Sequence, residues 1–359
     1  MLQHNDIRTL TSYRITILSA GLGLLALSLF LSIAFGSTKF TLPELFHFIF
    51  VDTEAVKHKI IMKIRLPRSI TAGLVGSCLA MAGCLLQGIM RNPLASPNII
   101  GVSSGAGLSA VVIFILFPGL YYLVTPIAFI GAFGTTLVVY TIAWKGGSSP
   151  LRLILSGIAI SSFLSAGSNT LMIFYPDRVQ NVIGFMVGSL SAITWQDVQG
   201  LWPYTLGGFI LSNILADQLN ILLLGDETAV SLGVKVEKVR LTFIFVASLL
   251  AAAAVSVVGL LGFVGLIVPH LARLIIGNNA RFLIPGSAIL GGIIVMLCDL
   301  IGRTLIRPLE LPVGVIMSLL GAPFFLYLLR KGGMNSGGNK GKKRGKKIIE
   351  KGTANGHQS

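Results

Sequence analysis

Ten stretches of 13 to 24 residues, apolar and nearly free of charge, follow one another between residues 15 and 329. They run over 15–35, 69–90, 99–117, 121–144, 153–175, 198–216, 241–262, 264–276, 282–301 and 313–329. About 20 apolar residues in a helix span the hydrocarbon core of a bilayer. In lipid only a helix or a closed barrel satisfies its own backbone. Only 11% of the residues are charged, against about 25% in soluble chains. Soluble enzymes, disordered proteins and disulfide scaffolds are excluded, and the sequence predicts an all-α polytopic membrane protein with ten transmembrane helices. One of these, 264–276, is short and carries Pro269, His270 and Arg273, so it is a truncated or re-entrant helix. A further apolar piece, 179–193, is too short to span and is expected to lie at the interface.

The first stretch has 21 apolar residues, longer than the usual 7–15 of a secretion signal, so an uncleaved helix is expected. Net charge is +15 and is concentrated at the end: nine Lys/Arg against Glu350 alone from Arg330 onward. Ten crossings with the N-terminus inside leave 19 Lys/Arg on the inner side and nine outside, so both termini are expected in the cytoplasm. The organisation that follows is a cytoplasmic N-terminus (1–14), a transmembrane domain (15–330) with a cytoplasmic connection at 217–240, and a basic disordered tail (331–359). That tail points to anionic lipid rather than nucleic acid, since no aromatic side chain interrupts residues 332–359 to stack on bases. Cys78, Cys84 and Cys298 have neither disulfide nor zinc spacing, and five scattered histidines form no ligand motif. No metal site is predicted.

Five cations, Lys57, Lys59, Lys63, Arg65 and Arg68, crowd the entry to the second stretch. This is the positive end of a helix dipole, where like charge is unfavourable, so the cluster calls for a partner. Arg65 and Arg68 share a face. Docking of a protein and snorkelling to lipid headgroups both fit these residues. Beyond that stretch, Pro93 and Pro97 force a turn, and Gly101 and Gly105 give the next helix a small-xxx-small face.

The run from Arg65 through Asn92-Pro93-Leu94-Ala95 to Gly107 resembles the FecCD family of ABC transporter permeases. So do Gly262-Phe263-Val264-Gly265 through Pro269-His270-Leu271-Ala272-Arg273, then Glu310-Leu311-Pro312-Val313-Gly314-Val315 and Leu320-Gly321-Ala322-Pro323. The resemblance covers roughly residues 40–330. It implies a ten-helix, cobalamin-importer-like permease fold in the bacterial cytoplasmic membrane. It also implies import of an iron–siderophore complex, haem or cobalamin, with iron–siderophore the leading expectation. The partners implied are a second permease subunit, two ATPase subunits and an extracytoplasmic substrate-binding protein.

By the same resemblance, Arg65, Arg68 and Arg303 dock acidic residues of the binding protein, where bidentate guanidinium–carboxylate bonds would fix register. Arg307 stands near enough to add a contact. Asp299, four residues before Arg303, is also read as its plain ion-pair partner. In Gly225-Asp226-Glu227-Thr228-Ala229-Val230-Ser231-Leu232-Gly233, Asp226 reads as an N-cap, Glu227 lies in the first turn and Gly233 takes the left-handed position past the end. So short a helix persists only if something holds it. It is a capped surface helix or, as the resemblance implies, part of the element that docks on the ATPase, with Ala229 and Leu232 in contact. Ser161, Ser165, Ser168 and Asn169 form a polar stripe that either packs helices or lines the translocation pathway. The resemblance puts a cytoplasmic gate at Ser149, Pro150 and Leu151.

No phosphate-binding GxxxxGK motif occurs, so no cofactor is expected on this chain and ATP is expected to be used by a separate subunit. A polytopic membrane enzyme would need paired acids, a Ser–His pair or a metal constellation in the membrane, and an ion-coupled carrier would need embedded carboxylates. No catalytic residues are predicted.

Overall fold

The computed structural model describes residues 2–36, 43, 56–144, 150–306 and 308–336. Ser149, Arg307 and the basic tail beyond residue 336 lie outside the described residues. The described chain is helical, without a β-strand. The helices are α1 (Leu2–Ala34), α2 (Leu66–Met90), α3 (Val102–Leu116), α4 (Val124–Ala143), α5 (Pro150–Phe174), α6 (Val179–Val187) and α7 (Trp195–Ile214). They continue with α8 (Ala216–Leu222), α9 (Asp226–Ser231), α10 (Val236–Val258), α11 (Val264–Ile276), α12 (Ala280–Thr304) and α13 (Val313–Ser336). A short helix, Val56–Ile60, leads through a wide π-helical turn, Ile61–Arg65, into α2.

Each of the ten predicted stretches falls on a helix, and the expected interfacial piece becomes α6. By length and composition, six described helical spans can cross a membrane: Thr11–Ala34, Val56–Met90, Pro118–Ala143, Pro150–Phe174, Val236–Val258 and Ala280–Thr304. Val102–Leu116, Val264–Ile276 and Val313–Tyr327 are apolar but shorter. The chain divides into two compact units, Met1–Ser318 and Leu319–Ser359. In the second unit, α13 continues past residue 330, where the sequence placed the start of the tail.

Within the first unit, α2 and α10 are central: 78% and 72% of their most apolar windows are buried, against 17% in α1 and α5. Small residues explain why α2 can be central. A Cβ on Gly76 would fall 2.1 Å from the carbonyl oxygen of Gly291, and one on Gly291 would fall 2.3 Å from that of Gly76. The backbones of α2 and α12 therefore touch, the packing that compensates for the absence of a hydrophobic drive between helices in lipid. The predicted small-xxx-small face packs on α4: a Cβ on Gly105 would fall 2.3 Å from the carbonyl oxygen of Gly131 and one on Gly101 2.7 Å from the Thr135 side chain, while Gly101, at φ +83°, also serves the turn that starts α3.

Candidate functional site: the two ends of the helical bundle

At one end, α1 stops and α2 begins. The last carbonyls of a helix have no intrahelical partner and carry partial negative charge. Two arginines from elsewhere in the chain supply the donors. Arg65 Nη1 donates to the carbonyl oxygens of Ile33 (2.7 Å) and Ala34 (3.3 Å). Arg303 Nη2 donates to the carbonyl and hydroxyl oxygens of Ser32 (3.1 and 2.8 Å). The Ser32 hydroxyl also bonds Ser69 on α2 at 2.7 Å.

Asp299 is the hub. Its carboxylate accepts from Arg68 Nε (3.1 Å) and Nη2 (2.9 Å), and Arg303 Nε lies 3.0 Å away. Arg68 Nη1 reaches Glu310 at 2.8 Å. Leu311 N bonds the carbonyl of Gly302 at 3.0 Å, folding the connection after α12 back so that Glu310 arrives there.

The structure brings the three arginines expected to dock the binding protein, Arg65, Arg68 and Arg303, together at this end. All three are buried, at 4%, 6% and 4% exposure, as is Asp299 at 1%. They do not present their guanidinium groups to the surface. The charge that seemed to oppose the α2 dipole is balanced inside the chain by the negative end of α1 and by two carboxylates. The Asp299–Arg303 pair was legible at i, i+4. The parts played by Ser32, Arg68 and Glu310 were not, because they come together only in three dimensions. Of the five clustered cations, Lys57, Lys59 and Lys63 stand at the surface.

At the other end, α2 terminates on Arg91 with φ 47°, a left-handed position usually held by glycine. Arg91 Nη2 donates to Asp226 Oδ1 at 2.9 Å. Arg240, buried on α10, donates to the same carboxylate through Nη2 (3.1 and 2.9 Å) and to Glu237 through Nη1 (3.1 Å). The start of α9 is thus tied to α2 and α10 at once.

The capping prediction is corrected here. The N-cap of α9 is Gly225, whose φ of +116° bars other residues, and Asp226 is the first helical residue without a capping bond of its own. Glu227 lies in the first turn as predicted, and Gly233 takes φ +80°. Ala229 is buried, so the exposed apolar surface here belongs to Val230 (64%) and Leu232 (59%), with Leu224 just before them.

Two further elements complete this end. Gln87 donates to the carbonyl of Leu266 at 3.0 Å and accepts from Arg273 at 3.1 Å, binding α2 to α11. Pro150 opens α5, a position where its missing N–H costs nothing, and Leu151 is exposed.

The serine stripe of α5 splits into two. Ser168 is buried and bonds the carbonyl of Leu164, and Ser161 accepts from Ser104 on α3 at 3.0 Å. Both serve packing within the subunit. Ser165 and Asn169 remain exposed, in line with Ser162, which the sequence reading overlooked. No group of three or more potential metal-ligating side chains occurs among the described residues.

The profile of the FecCD transport family matches residues 24–331 of this chain. The chain belongs to the FecCD transport family. It is 42% identical to the Fe(3+)-citrate import system permease protein YfmE of Bacillus subtilis, over 76% of this chain and 82% of that protein. Identity to the cobalamin import system permease protein BtuC of Halobacterium salinarum is also 42%, over 76% and 73% of the two chains. The hemin transport system permease protein HmuU of Yersinia pestis is 39% identical over 75% and 82%. A metal-chelate type ABC transporter solved in an inward-facing conformation superposes with a TM-score of 0.80 and 31% identity, covering 88% of this chain and 99% of that one. The FecCD chain is therefore an ABC importer permease and a membrane protein. The family resemblance read from the sequence motifs is correct.

Proposed function

We propose that this FecCD permease carries a ferric–siderophore complex across the bacterial cytoplasmic membrane. The observation that carries the cargo reading is that relatives 36–42% identical are named for ferric citrate and for iron(3+)-hydroxamate import. Haem or cobalamin on the same machinery is the second reading, supported by the hemin and cobalamin permeases at 39% and 42% identity. In this reading the subunit crosses the membrane ten times with both termini in the cytoplasm, and it pairs with a second permease subunit.

ATP is bound and hydrolysed by two separate ATPase subunits beneath α8–α9. The six-residue α9 would dock through Val230 and Leu232 and pass its displacement through Asp226 to Arg91 and Arg240, and so to α2 and α10. A substrate-binding protein would dock at the opposite end. There Lys57, Lys59 and Lys63 would meet acidic groups, while Arg65, Arg68 and Arg303 hold α1, α2 and α12 in position beneath them. The exposed line Ser162, Ser165 and Asn169 would border the pathway between two permease subunits, with the gate at Ser149, Pro150 and Leu151. Bistable packing of such subunits supplies the two states that alternating access requires.

Uptake of radiolabelled iron as citrate, hydroxamate and catecholate chelates by a deletion strain carrying this chain tests the cargo. Restored uptake of at least one chelate supports the reading. Restored haem or cobalamin uptake without any ferric chelate replaces it by the second.

A further inference from the structure

Arg14 lies one turn inside the apolar part of α1, which begins at Thr11. Its Nε donates to the carbonyl of Ile276, the last residue of α11, at 3.0 Å. Its guanidinium carbon stands 5.4 Å from the centre of the Phe282 ring on α12. These contacts fix the group where three helices meet. Among the described residues neither Nη atom donates to any group, and no carboxylate pairs with Arg14. The neighbouring cation, Arg281, is already matched by Asp217.

Inward along the same helices runs a cleft of about 230 Å³ between α1, α11 and α12. Leu18, Gly21 and Leu24 line it from α1, Ile275 from α11, and Ile289 and Ile293 from α12. From Leu18 to Leu24, at 1.5 Å per residue, it runs for about 9 Å along the α1 axis. Leu24 and Ile275 are 56% and 47% exposed. The cleft therefore opens on the exposed apolar face of α1.

We infer that this is a binding site for one anionic phospholipid. Arg14 takes the headgroup phosphate through its two Nη atoms, and the cleft holds an acyl chain. A fixed cation one helical turn from an uncharged, apolar cleft matches both halves of such a molecule, whereas a soluble anion would use only the first. A basic residue near an anionic surface favours binding by about 1 kcal/mol, or about fivefold. This inference is independent of the cargo and of the coupling proposed above.

The test uses the full-length chain in nanodiscs of dioleoylphosphatidylcholine, with or without dioleoylphosphatidylglycerol, and native mass spectrometry to count retained lipids. The wild type is expected to retain one phosphatidylglycerol with about fivefold preference over phosphatidylcholine. Arg14→Gln should lose the preference, and Leu24→Trp, which fills the cleft from an exposed position, should lose the retained lipid of either kind. Equal retention of phosphatidylglycerol by the wild type and Arg14→Gln would overturn the proposal, as would full retention by Leu24→Trp. Displacement of the lipid by millimolar glycerol phosphate would also overturn it, by showing a site for a free phosphate ester.

Discussion

Arg68 on α2 and Asp299 on α12, 231 residues apart, form a bidentate pair with closest contact of 2.9 Å, and both side chains are almost wholly buried. With Arg303 on its other side, the Asp299 carboxylate lies between two buried guanidinium groups. Removing one member of such an arrangement is far more costly than its net contribution suggests. Asp299→Asn should therefore lower unfolding free energy by about 3–5 kcal/mol, read as a shift in detergent-solubilised thermal or denaturant unfolding. Adding Arg303→Met to that variant should recover part of the loss, because one buried like charge is then gone. A loss below about 1 kcal/mol in the single variant would show that water reaches the pair.

Asp226 is half-exposed and bridges Arg91 and Arg240. Asp226→Asn should leave the fold in place but detach α9 from α2 and α10. Transport per ATP hydrolysed, measured in proteoliposomes with the ATPase and binding protein, should then fall by about fivefold or more. An unchanged transport-to-hydrolysis ratio would remove Asp226 from the coupling path.

Arg91 permits a cleaner separation of strain from coupling. Its left-handed backbone costs roughly 1–2 kcal/mol in a non-glycine residue, while an ion pair this exposed contributes about 0–1 kcal/mol. Arg91→Gly should hold or raise stability and yet reduce transport per ATP as Asp226→Asn does. A variant both stable and fully coupled would contradict the proposed path.

Val230 and Leu232 stand out from α9, while Ala229 faces inward. Val230→Asp and Leu232→Asp should change stability by no more than about 0.5 kcal/mol, as exposed sites do, but should abolish co-purification of the ATPase. Ala229→Leu should destabilise instead, by about 1–3 kcal/mol through overpacking. Co-purification surviving both Asp substitutions would place the ATPase elsewhere.

Gly76 and Gly291 bring the α2 and α12 backbones into contact. Gly76→Val, which places carbon where the Gly291 carbonyl lies, should separate these helices and prevent recovery of folded protein, read by size-exclusion elution. A well-folded variant would mean that α12 shifts to make room.

Apolar length was enough to place the helices, because lipid leaves a backbone few alternatives. The short α9 was legible too: Gly225 and Gly233 mark its ends, although the cap went to Gly225 and released Asp226 for two arginines. The arginine cluster was visible in the sequence but its direction was not. Its partners are the end of α1 and carboxylates more than 200 residues away, Asp299 and Glu310, and local spacing carries no information about them. On α5 a four-residue repeat hid a division of faces. Only the neighbour α3 determines that Ser161 turns inward while Ser165 does not.

The account rests on a permease that moves its cargo only when an ATPase drives it and a binding protein delivers to it. Uptake of a radiolabelled ferric chelate into proteoliposomes containing this chain, its partner permease and the ATPase, with binding protein outside and ATP within, tests this most directly. The account predicts uptake that disappears when ATP, the ATPase or the binding protein is left out. Equal uptake by the permease alone would contradict it.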